Sequence, residues 1–474
     1  MISPPAPEQC LSALTRAGFS GPRAEAWLER VRACRLPGSP EHADKLDRDA
    51  ARVGEACTAG WNLLEELPLK SRRSAAERAA GEAVLNVMAD LCWRFLGSYR
   101  RAVYAALARG VPCRLETLAR RAGERFTGIL PSAEDIAGEA RKLQKDKDGM
   151  EIFQGLLFAQ LFADPEAGTE IVHAMLQPTQ AARDRLEDFR RTGVVDLGAA
   201  RVEARGEAGW IHFHNPRFLN AEDDTTLEAQ EAAVDLVLLH PDLRMGVLRG
   251  DTVDHPSHRG RRIFSAGINL TRIYQGQQSY LFYLVRDLGW VNKIYRGLSL
   301  SRPCADEPEH SHEIPWLAVV DRFAIGGGCQ LLLVVDYVIA EAGAYFNLPA
   351  RKEGIIPGCA NLRLPRFMGE RMARQAIMFD KTFHVDEPDA RVLVNETAPR
   401  EELDERVEQV IANALGSGMV SAGANRRALR VQAEPVDVLR RYMATYAFEQ
   451  GFCHLSEQLV ENLERYWNAK NRSL

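Results

Sequence analysis

Apolar residues recur three and four positions apart through most of the first 195 residues, which are rich in Ala, Arg, Glu and Leu. In residues 82–93 this spacing collects the apolar side chains on one face of a helix. Turn residues at 110–112 and 130–132 separate the periodic segments, and Ser132 is placed to cap the helix that follows it. The pattern predicts an all-helical N-terminal domain, with helices at 24–34, 45–64, 75–108, 115–123 and 152–162.

Beyond residue 195 short apolar strands alternate with helical stretches. Residues 201–205 and 209–214 predict a hairpin, and repeated β-α-β order predicts a mostly parallel sheet covered by helices. The predicted organisation is a helical domain at 1–195, an α/β core at 196–400 and a helical C-terminal segment at 401–474. Within the core we expect helices at 226–239, 274–297 and 327–335 and strands at 245–248, 316–320 and 337–340.

Composition narrows the class of protein. A chain of 474 residues is too long for one compact domain, and its net charge of -5 leaves no basic excess for binding nucleic acid. The nine cysteines include no C-x-x-C pair, and no apolar run is long enough to span a bilayer. Histidines occur in close pairs (212 and 214, 255 and 258, 310 and 312) without a convincing third metal ligand. We expect a soluble cytoplasmic protein that binds no metal, nucleic acid or membrane.

Two glycine turns carry the candidate chemistry. Residues 265–270 (SAGINL) follow a basic run and a short apolar pair, and residues 325–330 (IGGGCQ) lie between an apolar strand and a helix. Glycine lets the backbone approach a ligand closely, and the first N–H groups of a helix lack internal partners. Two such N–H groups aimed at one point form an oxyanion hole. The alternative for the second turn is a tight strand-to-helix connection, and the presence of both turns argues against it.

Further motifs follow these turns in sequence: FNLP at 346–349 and GIIPG at 354–358. In order and spacing the set resembles the crotonase (enoyl-CoA hydratase/isomerase) superfamily over about residues 198 to 470. The resemblance implies a spiral of β-β-α units whose C-terminal helices assemble trimers or hexamers. It also implies an acyl-CoA substrate whose thioester oxygen accepts hydrogen bonds from the N–H groups of Ile268 and Gly327. The CoA moiety would then lie along Arg259, Arg262, Ala266, Gly267 and Ile268.

The departures from the family pattern are informative. Hydratases of this family carry catalytic glutamates at the positions of Gln330 and Ala350. An amide cannot shuttle protons as a carboxylate does, and alanine cannot do so at all. Water addition to a double bond is therefore not expected, although the groups that stabilise an enolate remain.

A narrower resemblance accounts for these departures. Gln330, the insertion at 255–262 and the long helical N-terminal extension resemble the branch that oxidises 3,5-dihydroxyphenylacetyl-CoA with O₂. Its product supplies the dihydroxyphenylglycine of glycopeptide antibiotics. This branch uses no metal or organic cofactor, so the implied small-molecule partners are the CoA thioester and O₂. An enolate would pass one electron to O₂, and the resulting peroxide would expel CoA and leave an α-keto acid.

The same resemblance assigns the ring-binding residues. Glu222 and Arg286 match positions that contact ring hydroxyls, and Gln330 offers a donor and an acceptor near the reacting carbon. Asp223 competes with Glu222 by a shift of one residue, and capping of the helix at Thr226 is the alternative for Asp223 or Asp224. An ion pair with Asp287 or Glu222 is the alternative for Arg286, and a satisfied helix amide is the alternative for Gln330. Apolar walls are expected from Ile268, Leu270, Ile355 and Ile356, each of which core packing explains equally well.

Two other functions stay open at this point. A crotonase-type hydrolase or decarboxylase would act without consuming oxygen, and a non-catalytic acyl-CoA-binding protein would account for the loss of both glutamates. The residue that removes the Cα proton, the ring substitution pattern, the oxygen route and the subunit number are not indicated by the motifs.

Overall fold

Helices occupy the chain up to the first strand in the computed structural model, which describes residues 4–37, 43–299, 311–416 and 419–474. The long segment at 75–108 has the predicted bounds and is helical apart from a kink at Tyr99 (φ -126°, ψ 16°), and Ser74 caps it by accepting a hydrogen bond from the N–H of Glu77. These helices are α1 Pro7–Arg16, α2 Gly21–Ala33, α3 Leu46–Glu65, α4 Ala75–Ala108, α5 Leu115–Arg125, α6 Ala133–Glu139, α7 Met150–Ala163, α8 Pro165–Met175 and α9 Gln180–Thr192. The predicted helical N-terminal region is confirmed.

The strands follow the alternating part of the sequence. They are β1 Val194–Asp196, β2 Ala200–Arg205, β3 Ala208–Phe213, β4 Met245–Gly250, β5 Leu298–Ser299, β6 Ser311–His312, β7 Trp316–Val320, β8 Phe323–Ile325, β9 Tyr337–Glu341, β10 Tyr345–Asn347, β11 Phe383–His384 and β12 Glu396–Ala398. Between and after them lie α10 Leu227–Leu239, α11 Leu270–Tyr274, α12 Leu281–Leu288, α13 Trp290–Arg296, α14 Gly327–Leu331, α15 Ala350–Glu353, α16 Ala360–Phe379, α17 Leu403–Gly416, α18 Val420–Ala433, α19 Val436–His454 and α20 Glu457–Trp467.

The main sheet has seven strands in the order β1-β2-β3-β4-β7-β9-β12. β1, β2 and β3 pair antiparallel, which confirms the predicted hairpin, and every pairing from β3 to β12 is parallel. A smaller sheet pairs β8 with β10 in parallel and β10 with β11 antiparallel. The chain thus passes from a main-sheet strand to a small-sheet strand to a helix (β7-β8-α14, then β9-β10-α15), as the predicted β-β-α units require.

The chain forms two compact units. One, the helical unit, comprises Met1–Ile171, Thr271–Leu281 and Met443–Leu474. The other, the sheet unit, comprises Val172–Leu270 and Phe282–Tyr442, and it contains every candidate site residue. The division into three segments at residues 195 and 400 stays a prediction.

Two predicted helices differ from the observed ones. The stretch at 274–297 is interrupted near Gly276, which has φ +74°, and again at Gly289, so that α12 and α13 are separate. The helix predicted to reach residue 335 ends at Leu331. After it, the N–H groups of residues 332–334 bond to carbonyls three residues back, because the chain tightens before it enters β9.

Candidate active site

Three parallel segments of the small sheet end at the same edge. Ser265 forms a parallel bridge with Ala324 of β8, and Ala324 pairs with Phe346 of β10. The carboxyl ends of neighbouring parallel strands meet at one edge, where α/β folds commonly bind ligands. The turn at Gly267, the turn at Gly327 and the start of α15 are therefore brought together, although they span more than eighty residues of sequence.

The first turn is held against the second. Gly267 has φ +83°, and a Cβ at this position would lie 2.6 Å from the Ile325 oxygen and 2.9 Å from the Gly327 nitrogen. Its N–H donates to Ser265 Oγ at 3.0 Å, and its carbonyl accepts from the Glu222 N–H at 2.7 Å. Only glycine fits this position, because the conformation is left-handed and the neighbouring backbone is in contact.

The second turn opens α14. Gly326 has φ +51° and ψ -113°, and its N–H donates to the Asn347 carbonyl at 2.9 Å, which ties this turn to the end of β10. Within the described part of the chain, the N–H groups of Ile268 and Gly327 have no hydrogen-bond acceptor. The Gly327 N–H is also at a helix N-terminus, where negative charge is favoured. Two unpaired main-chain donors on adjoining turns are the components of an oxyanion hole.

A buried network of polar side chains adjoins the second turn. Arg286 donates to both oxygens of Glu222, at 2.5 and 2.9 Å, and to Asp287 Oδ1 at 2.9 Å. It also donates to Gln330 Oε1 at 2.7 Å and to the Gly327 carbonyl at 2.9 Å. Arg286 therefore contacts both Glu222 and Gln330, the other two polar residues predicted to hold the ring, and the predicted oxyanion turn.

The electrostatics of this network follow from its burial. Arg286 and Glu222 are each 1% exposed. Burial alone would lower the pKa of the Arg286 guanidinium, but Glu222 and Asp287 raise it above its ordinary value. Arg286 is therefore permanently charged, and its ion pairs with Glu222 and Asp287, which the sequence left open as alternatives, are both present.

Asp223, the alternative to Glu222 in the sequence, forms hydrogen bonds with different residues. Asp223 Oδ1 accepts from the N–H and the hydroxyl of Thr225, and Asp223 Oδ2 accepts from Asn269 Nδ2 at 2.9 Å. The residue at the N-cap of α10 is Thr226. Asp223 therefore shapes the loop before α10, whereas Glu222 belongs to the buried network.

Two residues that support the site were not singled out from the sequence. Ser265 holds the first turn through its Oγ. Asn220 has φ +55°, its Nδ2 donates to the carbonyls of Asp251 and Ile263, and it is 1% exposed. It fixes the segment that leads to Glu222. An asparagine two residues before a candidate acid was the available signal, since asparagine adopts left-handed backbone more readily than other side chains.

The predicted CoA residues lie on and before the first turn. Arg259 is exposed and pairs with Asp254 at 3.0 Å, and Arg262 is half-buried and contacts Asp251 at 3.4 Å. The N–H of Ala266 donates to the Leu219 carbonyl at 3.0 Å. A phosphate would have to compete with these carboxylates, so a role in CoA binding stays a prediction for both arginines.

The third segment ends at α15. Ala350 and Ile355 are buried, and Ile356 is half-buried. Glu353, the last residue of α15, is 8% exposed, and its Oε1 lies 3.7 Å from the position a Cβ of Gly326 would take. Burial, followed by the charge of Asp380, raises the pKa of Glu353 to about 7. Sequence reasoning missed this residue, since nothing local distinguishes it from a surface glutamate.

The described residues also bear on metal sites and membrane spans. Among the described residues no group of three or more His, Cys, Asp or Glu is arranged to hold a metal ion, and Cys304 and His310 lie outside those residues. In the same part of the chain, no helix combines the length and apolar character needed to cross a membrane.

Comparison with known proteins places this arrangement in a family. The family model for enoyl-CoA hydratase/isomerase matches residues 308–471. The (3,5-dihydroxyphenyl)acetyl-CoA 1,2-dioxygenase of Amycolatopsis orientalis is 41% identical over 420 residues, 88% of this chain and 93% of that protein. The crotonyl-CoA hydratase of Syntrophomonas wolfei is 26% identical over 267 residues, 56% of this chain and 93% of that protein.

Solved structures of hydratases are also similar. An enoyl-CoA hydratase from Mycobacterium avium subsp. paratuberculosis covers 59% of this chain and 99% of its own, with a TM-score of 0.46 and 19% identity. An enoyl-CoA hydratase from Bacillus halodurans covers 56% of this chain and 99% of its own, with a TM-score of 0.46 and 21% identity. The β-β-α units and their paired glycine turns define a crotonase-type α/β protein. The chain belongs to the enoyl-CoA hydratase/isomerase (crotonase) family, as the motifs predicted.

Proposed function

We propose that the protein is an oxidoreductase that converts (3,5-dihydroxyphenyl)acetyl-CoA and O₂ to 3,5-dihydroxyphenylglyoxylate and free CoA. The observation that carries this proposal is the buried Glu222–Arg286–Gln330 network at the Gly327 turn. Where hydratases of the family have two glutamates, this chain has Gln330 and Ala350. The relative that is 41% identical bears the same activity in its name.

The first task of the site is to stabilise an enolate. The Cα–H of an arylacetyl thioester is acidic, because the enolate is delocalised into both the thioester and the ring. In this proposal the enolate oxygen accepts hydrogen bonds from the N–H groups of Ile268 and Gly327. Each such preorganised donor contributes roughly a hundredfold or more to the rate.

Recognition of the ring is the second task. The oxygens of Glu222 accept from Arg286 and retain lone pairs for a ring hydroxyl, since an ionised carboxylate has about four acceptor sites. Gln330 accepts from Arg286 through its oxygen, which leaves its NH₂ group to donate to the substrate. Arg286 has five N–H groups and makes five hydrogen bonds, so it positions these two side chains.

Oxidation needs no group besides the substrate and O₂ in this proposal. The enolate gives one electron to O₂, and recombination forms a peroxide at Cα. The peroxide attacks the thioester carbon and expels CoA, and the O–O bond then breaks as the remaining Cα hydrogen leaves as a proton. The Cα methylene loses four electrons in total and O₂ gains them, one oxygen entering the keto group and the other the carboxylate. Both Cα hydrogens leave as protons, one of which ends on the CoA sulfur. Ile268, Ile355 and Ile356 would form the apolar walls that exclude water.

Binding of CoA along residues 259–268 and assembly into trimers or hexamers complete the proposal. Arg259 and Arg262 are the candidate phosphate contacts, because guanidinium groups match phosphate geometry.

An oxygen electrode provides the test. Chelator-treated protein is mixed with (3,5-dihydroxyphenyl)acetyl-CoA, and O₂ uptake and free thiol are followed together. Equimolar uptake and release supports the dioxygenase. Thiol release without O₂ uptake would instead indicate a hydrolase. If neither signal appears although the thioester still binds, the protein is a non-catalytic acyl-CoA-binding protein. Activity that returns only after a metal or flavin is added contradicts the cofactor-independent part of the proposal.

A further inference from the structure

Formation of the enolate requires a group that accepts the Cα proton. Both oxygens of Glu222 are already bound by Arg286, so protonating this carboxylate would weaken a buried ion pair. Gln330 is an amide and Ala350 a methyl group, and neither accepts a proton in the physiological range. The residues that hold the ring therefore do not supply a base.

Glu353 lies where such a base is needed. It follows Ala350 by three positions in α15, and residues three apart share one face of a helix. Helical side chains lean toward the preceding turn, so we expect Glu353 to approach the position where hydratases carry a glutamate and this chain has only a methyl group. Its Oε1 is 3.7 Å from the position of a Cβ on Gly326, whose peptide carries the Gly327 N–H.

The carboxyl group of Glu353 also has no bonding partner among the described residues, where it forms no hydrogen bond and no ion pair. The neighbouring cations of α15 are directed elsewhere: Arg351 pairs with Asp380 at 2.9 Å and Lys352 with the same carboxylate at 3.4 Å. Asp380, at the end of α16, is the charged group that acts on Glu353. A buried, unpaired carboxylate is a stronger base than an exposed one.

We propose that Glu353 accepts the Cα proton of the thioester and so generates the enolate that Ile268 and Gly327 hold. This inference rests on the proposed function. The Cα–H bond breaks, its electron pair stays on the substrate, and an O–H bond forms on Glu353. When CoA leaves as a thiolate, that proton passes to the sulfur and the carboxylate is restored. A base of this kind contributes roughly 10²- to 10⁴-fold to the rate.

Proton exchange measured without oxygen tests the step directly. Under argon in D₂O, the wild-type protein should exchange the Cα hydrogens of (3,5-dihydroxyphenyl)acetyl-CoA, followed by mass spectrometry. Glu353→Gln should slow exchange and O₂ uptake together, by roughly 10²-fold or more, with KM nearly unchanged. Glu353→Asp should retain part of both rates. If Glu353→Gln exchanges as fast as the wild type, Glu353 is not the base.

A second measurement applies even if Glu353→Gln fails to fold. The basic form of Glu353 is the active one, so kcat/KM of the wild type should rise with pH through about 7. Asp380→Asn removes a negative charge near Glu353 and frees Arg351 and Lys352, so this rise should move to lower pH. An unmoved profile overturns the inference. Exchange without O₂ uptake in the wild type would refute the oxidation and leave Glu353 supported.

Discussion

Every N–H group of the Arg286 guanidinium donates a hydrogen bond to a protein acceptor. The motif predicted a contact to a ring hydroxyl, with an ion pair to Glu222 or Asp287 as the alternative. Both ion pairs are present, and Arg286 has no N–H group left for a ring hydroxyl, so we expect the hydroxyl of the proposed substrate to contact Glu222 or Gln330 instead. The spacing of residues in the sequence could identify these side chains as candidates, but it could not show which of them form hydrogen bonds with one another.

In the proposed function, Glu222 accepts a hydrogen bond from a ring hydroxyl of the substrate. Glu222→Gln should raise KM for the aryl-acetyl thioester by about tenfold to a hundredfold, because a hydrogen bond to a charged group is worth roughly 1.5–3 kcal/mol. The effect on kcat should be smaller. Steady-state O₂ uptake at varied substrate concentration measures both constants.

Asp223→Asn is the matched control, because this neighbouring carboxylate is bound to Thr225 and Asn269 rather than to Arg286. Its KM should change little. A large loss of kcat in Glu222→Gln at constant KM is the outcome that contradicts a recognition role.

At the scale of elements, the site depends on the alignment of three small-sheet segments. The pairing of Ser265, Ala324 and Phe346 places three strand-to-helix turns side by side. The β-β-α order and the existence of both glycine turns were predictable, because each depends on a local pattern of strand, glycine and helix. The early end of α14 was not, since its residues continue the apolar pattern and only the entry into β9 ends the helix.

Gly267→Ala tests this alignment. The added Cβ would press on the Ile325 oxygen and the Gly327 nitrogen, at 2.6 and 2.9 Å. We expect kcat/KM to fall by at least about a hundredfold, because both proposed oxyanion donors, the N–H groups of Ile268 and Gly327, would move. Kinetics and thermal unfolding should be measured on the same preparation.

Gly343→Ala is the control for backbone strain alone. Gly343 has φ +77°, close to that of Gly267, but a Cβ there meets nothing within 4 Å. It should lower stability by about 1–2 kcal/mol and leave kcat/KM almost unchanged. Equal catalytic losses in the two variants would show that strain, and not contact between the turns, is responsible.

At the scale of the whole molecule, a buried charge cluster joins several helices of the sheet unit. Glu434, at the end of α18, is fully buried and binds Arg296 of α13 and Arg363 and Arg366 of α16. Burial opposes its ionisation, but Arg363, Arg296 and Arg366 outweigh burial and hold the pKa of Glu434 at about 2. Its stabilising contribution is therefore present at neutral pH.

This cluster predicts a specific loss of stability in acid. The pKa of Glu434 is below its ordinary value of 4.5, so its contribution should vanish as pH falls from about 4.5 toward 2. The loss is on the order of 3 kcal/mol. Urea unfolding at a series of pH values measures it. Glu434→Gln should have a lower free energy of unfolding at pH 7 and should lose less of it as the pH falls from about 4.5 toward 2. Glu402→Gln, which changes an exposed glutamate, should keep the pH dependence of the wild type. The same slope in both variants would contradict the prediction.

Sequence patterns were enough to predict the family, the order of helices and strands, the two glycine turns and the replacement of both hydratase glutamates. These features depend on neighbouring residues, on period and on backbone conformation, which a linear pattern records. Folding in three dimensions, in contrast, brings Arg286 into contact with Glu222, Gln330 and the Gly327 carbonyl together, and it buries Glu353 beside Gly326. Partner choice and desolvation arise from contacts between segments far apart in the chain, and no local pattern contains them.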